Sequence, residues 1–217
     1  MINKLVRLLL WRSPSPSHLL KYWRWRSLRY GPRSAANLAC PKEELQAFLD
    51  TQKKELLHLL DLHLKKDKIR LILDFGCGPG FFSTALAEHF QACVTAIDPT
   101  KPLLRKAPPH PRVSYLLYQP PHWPATAQNF DLIWIRHVLA GIPAAQLPAL
   151  AQKLIQSLSP QGKLFLCEKT GPFTPEKGDY WFQRPAAFYT ELFKDIHLQP
   201  LKTQKELGEE VTLFLSK

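Results

Sequence analysis

The spacing of hydrophobic residues changes several times along this chain and predicts alternating helices and strands. From residue 41, leucines and phenylalanines recur at three- and four-residue steps, which predicts a long helix. Strand-sized apolar runs then alternate with further stretches of helical spacing. The predicted strands are 70–75, 94–97, 113–118, 130–135, 163–167 and 211–215, and the later helices are 81–90, 144–158 and 186–195. This order is typical of an α/β protein whose mainly parallel sheet carries helices on both faces.

The N-terminal segment differs from the rest of the chain in its charge. The net charge is +11, yet residues 1–42 contain nine of the 29 basic residues and no Asp or Glu. These nine are Lys4, Arg7, Arg12, Lys21, Arg24, Arg26, Arg29, Arg33 and Lys42. The remainder keeps 20 basic against 18 acidic residues and is nearly neutral. We therefore divide the chain into a basic, Trp/Arg-rich N-terminal helical extension, residues 1–40, and a domain, residues 41–217.

Four interpretations of the basic segment stay open. Leu5 and residues 8–10, interleaved with arginines, fit a short amphipathic helix on an anionic membrane. The lack of acids beside several Ser and Arg also fits an organelle transit peptide. Residues 21–26, where Arg and Trp alternate, would clamp the phosphates and stack on the bases of a nucleic acid. In the fourth interpretation, an apolar face packs a helix over the domain. That face consists of Leu19, Leu20, Trp23 and Leu28.

Composition narrows the class of protein further. With 45% hydrophobic and 22% charged residues, the chain is expected to be globular. No run of about 18 uncharged apolar residues exists, so no transmembrane helix is predicted. The four cysteines lack paired spacing, which predicts no metal site and no disulfide scaffold and fits a reducing compartment. We expect a cytoplasmic protein, with organelle targeting or peripheral membrane association through the N-terminus as alternatives.

A glycine-rich loop follows the first predicted strand. The run from Asp74 to Gly80 places glycines at 76, 78 and 80, where positive φ and close approach of a ligand to the backbone are both allowed. No Gly-Lys-Ser/Thr follows, so the loop is not a P-loop, and the glycine spacing differs from that of dinucleotide enzymes. Asp98 ends the second strand, 18 residues after Gly80. A carboxylate there can accept hydrogen bonds from the hydroxyls of an adenosine ribose.

Residues 71–168 resemble the class I S-adenosylmethionine-dependent methyltransferase family. The resemblance rests on the segments 71–80, 95–99, 130–134 and 159–163, which occur in the family's order and with its gaps. It implies a Rossmann-like, doubly wound, seven-stranded sheet whose last strand is antiparallel. Residues 199–215 are then the final hairpin. The implied cofactor is S-adenosyl-L-methionine.

The resemblance also implies a set of cofactor-binding residues. The glycines would line the amino-acid end of the cofactor, with Asp74 supporting the loop or reaching the ammonium group, and Asp98 would hold the ribose. Gln119 stands where the family often has an Asp near the adenine amino group. The full predicted set is Asp74, Gly76, Cys77, Gly78, Gly80, Asp98, Pro99, Gln119 and Ile135.

The acceptor side is less determined by the motifs. His137, directly after the fourth strand, is the candidate general base, with a purely local packing role as the alternative. Arg136 precedes it and would face the acceptor. Residues 179–185 concentrate aromatic and charged side chains where this family often builds its substrate wall, or they pack back on the core. From them and the fifth strand we take Tyr180, Trp181, Arg184 and Glu168 as candidate contacts.

The sequence thus predicts a methyltransferase that acts on an N or O acceptor of a small molecule or a protein terminus. Its partners would be this unidentified acceptor and an anionic partner, a membrane surface or a nucleic acid, at residues 1–33. The alternative is a methyltransferase-fold protein without catalysis that binds nucleic acid or a partner through the basic segment. Residues 119–123 are taken as a loop, because the similar Asn/Asp-Pro-Pro-aromatic signature belongs after the fourth strand rather than the third.

Overall fold

A single seven-stranded sheet forms the centre of the protein. The computed structural model describes residues 16–35, 38, 40–120, 122–124, 129–173 and 181–217. The strands are β1 (Leu71–Phe75), β2 (Cys93–Asp98), β3 (Val113–Leu117), β4 (Phe130–Arg136), β5 (Leu158–Lys169), β6 (Gln199–Glu206) and β7 (Glu209–Leu215). Their order is β3-β2-β1-β4-β5-β7-β6. The first five pair in parallel, and β7 runs antiparallel to β5 and β6, which confirms the predicted fold class and final hairpin.

Helices cover both faces of the sheet. They are α1 (Pro16–Tyr30), α2 (Leu45–Asp61), α3 (Ser83–Phe90), α4 (Lys101–Leu104), α5 (Leu147–Gln156) and α6 (Ala186–Leu192). Successive residues of the central strands belong to opposite cores: Leu132 and Trp134 pack with α2 and α3, while Ile133 and Ile135 pack with α5 and α6. In α5 the buried residues are spaced as one helical face, namely Leu147, Leu150, Ala151 and Leu154.

The fifth strand departs from the sequence prediction at its start. We expected a turn at 159–162 before a strand at 163–167, but β5 runs from Leu158 to Lys169. Its pairing with β4 jumps from Phe130↔Leu158 to Leu132↔Lys163, so the supposed turn is an irregularity within the ladder. A Cβ at Gly162 would collide with the Phe130 carbonyl, which explains the glycine at this crowded point.

Helix α1 lies on the domain. Leu19 and Tyr22 are buried and pack with Trp23, as expected for a helix with one face toward the domain. Leu28, which we placed on that same face, is instead 68% exposed. The predicted amphipathic helix and transit peptide fall mainly on residues 1–15, outside the described residues. Across the described part of the chain, no helix is long and apolar enough to span a membrane.

Candidate active site

A cavity of about 930 Å³ runs along the carboxyl edge of the sheet. It begins where β2 ends, at Asp98, and extends past the end of β4 to the β6–β7 turn at Leu207. Helix α1 contributes side chains to its wall. Ligands of open α/β sheets bind beyond the carboxyl ends of the strands, so this cavity occupies the position that the fold favours for a site.

The glycine loop forms the start of the cavity because β1 delivers it there. Gly76 and Gly78 line the cavity with φ values of +76° and +56°. The amides of Gly76 and Cys77 donate to the Ile97 carbonyl at 2.8 and 3.1 Å, which fixes the loop against the end of β2. A Cβ at Gly76 would overlap Val138 of the loop that follows β4. The loop is therefore held between two neighbouring strands.

Asp98 lies at the centre of this first part of the cavity. Its Oδ2 accepts from the Gly78 amide at 2.9 Å and its Oδ1 accepts from the Thr100 amide at 2.7 Å. Burial raises the pKa of this carboxyl to about 6, although both amide hydrogen bonds lower it. Pro99 and Thr100 line the cavity beside it. Two predicted cofactor residues, Asp98 and Pro99, are thus brought together with Gly76 and Gly78.

Three other residues of the motif support the loop and do not line the cavity. Asp74 is buried and accepts from the Ser83 hydroxyl at 2.6 Å, and burial raises its pKa to about 7. Cys77 packs in the hydrophobic core. A Cβ at Gly80 would come within 2.6 Å of the Tyr115 hydroxyl, so this glycine makes room for a side chain of β3. Of the two roles considered for Asp74, the geometry shows loop support.

The end of β3 corrects one expected contact. Gln119 is exposed, pairs with His122 in an isolated bridge and does not line the cavity. Its neighbours Tyr118 and Pro120 do. Trp123 stacks on Phe75 with ring centroids 6.0 Å apart, which draws this loop over the end of β1. At the end of β3, Tyr118 and Pro120 therefore form the cavity wall, and the side-chain amide of Gln119 does not.

The end of β4 places two charged side chains in the middle of the cavity. Arg136 and His137 both line it, whereas Ile135 is fully buried in the core between α5 and the sheet, contrary to the expected cofactor contact. His137 has a φ of +53°, a conformation few side chains adopt outside a tight turn. Its amide donates to the Cys167 carbonyl at 2.8 Å. The strand therefore ends at Arg136, and His137 lies in a turn at the cavity.

Glu206, which the sequence analysis missed, connects these two side chains. Its Oε2 lies 2.8 Å from Arg136 Nη2 and 3.1 Å from His137 Nε2. Burial alone would raise its pKa, but the hydrogen bond to His137 and the charge of Arg136 lower it. Burial and the neighbouring Arg136 lower the pKa of His137. The stable state is therefore a carboxylate beside a neutral imidazole.

The proton on that imidazole can be assigned from its partners. A carboxylate only accepts hydrogen bonds, so Nε2 carries the proton and donates it to Glu206. Among the described residues, the buried Nδ1 of His137 has no hydrogen-bond partner. A neutral imidazole in this tautomer presents a lone pair at Nδ1, and Glu206 stabilises the imidazolium that forms when Nδ1 takes a proton.

Cys167 lies beneath the same pair. Its Sγ and the ligand atoms of His137 and Glu206 all fall within 4.8 Å of one another. Burial raises the pKa of the Cys167 thiol far above its usual range, so it stays protonated. The Arg136 guanidinium already pairs with the Glu206 carboxylate at 2.8 Å, and its positive charge opposes a second cation there. The arrangement suits proton transfer better than metal binding.

Two candidate acceptor contacts turn out to hold the loop after β4. Glu168 is fully buried and accepts from the amides of Val138 and Leu139 at 2.7 and 2.6 Å. Arg184 is also fully buried and donates to the carbonyls of Leu139 and Ile142 at 2.9 and 2.7 Å. Neither lines the cavity. Because their charges serve backbone groups, the expected contacts of both residues with an acceptor are wrong.

Aromatic rings form the far wall. Trp181 lines the cavity, with its ring centroid 6.4 Å from that of His137 and 6.3 Å from that of Trp23 on α1. Phe182, its neighbour, is fully buried. The expectation that Trp181 faces the acceptor region agrees with this position, whereas Tyr180 lies outside the described residues. Aromatic side chains from two distant segments thus enclose the space around the imidazole.

Comparisons with known proteins agree with the fold. A family model described as a methyltransferase domain matches residues 72–162. A ubiquinone biosynthesis O-methyltransferase of Coxiella burnetii is 32% identical over 144 residues, which cover 57% of this chain and 60% of that protein. Residues 72–162 thus match a methyltransferase domain, in agreement with the resemblance found in the sequence.

Solved structures of methyltransferases share the fold across most of the chain. An S-adenosylmethionine-dependent methyltransferase of Leishmania major superposes with a TM-score of 0.72 at 18% identity, covering 93% of this chain and 82% of that one. A Synechocystis magnesium protoporphyrin IX methyltransferase with bound SAH gives a TM-score of 0.69 at 13% identity, covering 93% and 99%. The chain spans 60% of the length of the Coxiella relative that it matches.

Proposed function

We propose that this chain is an S-adenosyl-L-methionine-dependent methyltransferase that methylates the oxygen of a hydroxyl acceptor. The observation that carries the proposal is the carboxylate of Asp98 at the cavity's start, beside the bare backbone of Gly76 and Gly78. These residues fit the cofactor: the carboxylate would accept hydrogen bonds from the ribose hydroxyls, and the glycines adopt the positive φ values that bring the loop to the edge of the cavity. A protein bound to SAH superposes on this fold, which supports the same class of ligand here.

The cavity has room for a second molecule beside the cofactor. Its volume of about 930 Å³ lies near the upper end of the usual range for small-molecule sites. The wall around His137 includes the rings of Trp23 and Trp181. An aromatic wall favours a flat, apolar acceptor. We therefore infer a phenol-like substrate.

His137 supplies the general base that a hydroxyl acceptor requires. The cofactor carries a methyl group on a sulfonium, which leaves as a neutral thioether. The bound cofactor would supply this methyl group to the acceptor oxygen as its sulfur–carbon bond breaks, and His137 would take the hydroxyl proton at Nδ1. Glu206 would hold the resulting imidazolium, and alignment of the two substrates in the cavity contributes to the rest of the acceleration. The Coxiella relative, named an O-methyltransferase, supports oxygen as the attacking atom.

Calorimetric titration with S-adenosyl-L-methionine and its demethylated product tests the cofactor assignment. The wild-type protein should bind both in the micromolar range, and Asp98→Ala should lose at least about tenfold in affinity, the cost of one or two hydrogen bonds from a charged group. Asp67→Ala, at an exposed position on the opposite edge of the sheet, is the matched control. Equal affinities of the wild type and Asp98→Ala, with both proteins folded by circular dichroism, would overturn the assignment.

Labelled methyl transfer to a panel of phenols, aliphatic alcohols and amines then tests the acceptor. Transfer to phenols that His137→Asn loses supports the proposal. Transfer to amines alone would overturn the choice of oxygen while leaving the cofactor assignment intact.

A further inference from the structure

Helix α1 has an outer face that is both basic and apolar. Lys21, Arg24, Trp25, Leu28 and Arg29 are all exposed, and their spacing of three, one, three and one residues puts them on one side of the helix. Trp25 is 40% exposed and Leu28 is 68% exposed. We call these five residues the α1 outer face. Within the domain, such large apolar side chains would normally be buried.

The orientation of the helix is fixed by its other side. Leu19 and Tyr22 are buried, and Arg26 donates to the Ser34 carbonyl at 2.9 Å. Ser27 is also buried, and its hydroxyl donates to the Arg24 carbonyl at 2.7 Å. The inner side faces the domain through Trp23, whose ring centroid lies 6.3 Å from that of Trp181, so the α1 outer face cannot turn inward to hide Leu28.

The neighbouring surface extends the positive charge. Helix α1 packs against α4, where Lys101, Arg105 and Lys106 are exposed. Residues 99–130 contain four basic residues and no Asp or Glu, as residues 1–42 contain nine and none. Two separate basic segments therefore meet at one place in the fold, and an anionic partner is the complement of both.

We propose that the α1 outer face binds an anionic lipid bilayer. Cations at the level of the headgroups with a Trp and a Leu directed toward the acyl chains are the pattern of an interfacial helix. Leu28 offers nothing to a phosphate backbone. The ring of Trp25 packs against Tyr22 at 6.3 Å and Tyr30 at 6.2 Å, which limits its use as a stacking platform for bases. A bilayer would contact all five side chains of the α1 outer face, whereas a nucleic acid would contact only the three cations.

Sedimentation of the full chain with phospholipid vesicles tests this proposal. Vesicles of phosphatidylcholine with about one third phosphatidylglycerol should pellet the protein at low salt, and pure phosphatidylcholine should not. Each cation near an anionic surface contributes about fivefold to binding. The triple variant Lys21→Gln/Arg24→Gln/Arg29→Gln should therefore bind about 100-fold more weakly.

A matched surface elsewhere in the fold separates this site from general attraction. Lys65, Lys66 and Lys68 are exposed near Leu62, which is 66% exposed, but Asp61 and Asp67 pair with two of these lysines. Replacing the three lysines by Gln changes the net charge equally and should leave vesicle binding nearly unchanged. Likewise, Leu28→Ser should weaken binding by about tenfold and Leu62→Ser should not.

Several outcomes would overturn the proposal. The first is failure of the protein to pellet with the anionic vesicles at low salt. The second is an equal loss of binding in the α1 triple variant and in the variant of Lys65, Lys66 and Lys68. The third is unchanged binding of the α1 triple variant. Binding to a single-stranded RNA that falls in the triple variant, without any vesicle binding, would assign the face to nucleic acid instead. Titration with S-adenosyl-L-methionine is independent of these results and keeps the two proposals distinguishable.

Discussion

The two ends of the cavity are built in different ways. The donor end, between the glycine loop and Asp98, comes from one continuous stretch of chain in which backbone amides hold a single carboxylate at the cavity. The acceptor end combines Trp23 of α1, His137 after β4, Trp181 and Glu206 of the terminal hairpin. One end depends on local backbone geometry and the other on charged and aromatic side chains that only the complete fold brings together. Substitutions at the two ends should therefore separate cofactor binding from transfer.

The largest expected effect is on turnover at the acceptor end. His137→Asn removes the general base, so kcat with a hydroxyl acceptor should fall by about 10²–10⁴-fold. The affinity of this variant for S-adenosyl-L-methionine, measured by calorimetry, should stay unchanged because the substitution is at the acceptor end and leaves the glycine loop and Asp98 as they are. A parallel loss of cofactor affinity would contradict the separation of the two ends.

The pH dependence of kcat tests the assignment of His137 as the general base. Because burial lowers the pKa of His137, the wild-type kcat should fall only when the pH drops below the ordinary histidine value of 6.5. Glu206 acts in the opposite direction, raising the pKa of the imidazole. In Glu206→Gln the acid limb of the pH profile should therefore move to still lower pH. A limb that does not move would show that Glu206 has no influence on the titrating group.

The next effect is on stability, at the loop that joins the two ends. Glu168→Ala leaves the fully buried Arg184 without its nearby countercharge and removes the acceptor of the Val138 and Leu139 amides. The free energy of unfolding should fall by about 3–5 kcal/mol, measured by urea denaturation. Glu168→Leu combined with Arg184→Met should cost less than the sum of the two single changes, since no isolated charge remains. Strict additivity would mean that the two residues act independently.

A smaller effect is expected at the donor end. Gly76→Ala introduces a Cβ that overlaps Val138, and it places an alanine at a backbone φ of +76°. The affinity for S-adenosyl-L-methionine should therefore fall by about 10–100-fold. Gly208→Ala has a similar φ of +82° with no atom within 4 Å of the new Cβ. It is the control for backbone strain alone, and it should retain full cofactor affinity. Equal losses in both variants would point to strain rather than to the close contact.

Sequence reasoning predicted the donor end because its geometry is local. A strand, a glycine loop, a helix and a second strand ending in an acid lie within residues 71–98, and each favours its own conformation. Even there, the motif did not distinguish the glycines that line the cavity from Gly80. Gly80 is required instead by the side chain of Tyr115, a residue of another strand, which a Cβ at position 80 would meet.

The acceptor end was predicted only in part, because its partners are distant in sequence. His137 lies 69 residues from Glu206, and nothing in the spacing connects them. One available signal is that Glu206 ends a strand of the predicted hairpin, whose turn must return to the carboxyl edge of the sheet. Glu168 and Arg184 were misassigned for a related reason. A charged residue in a sequence is expected at the surface, whereas here both are buried against backbone groups.

The hairpin turn that follows Glu206 has a consequence for protein engineering. Leu207 lines the cavity and is 40% exposed, and Gly208 has open space where a side chain would begin. The φ of +82° favours glycine at position 208, so Leu207 is the position of this turn at which a side chain facing the cavity can be changed. A library randomised at Leu207 alone should yield enzymes with altered acceptor preference that retain the parent's affinity for the methyl donor.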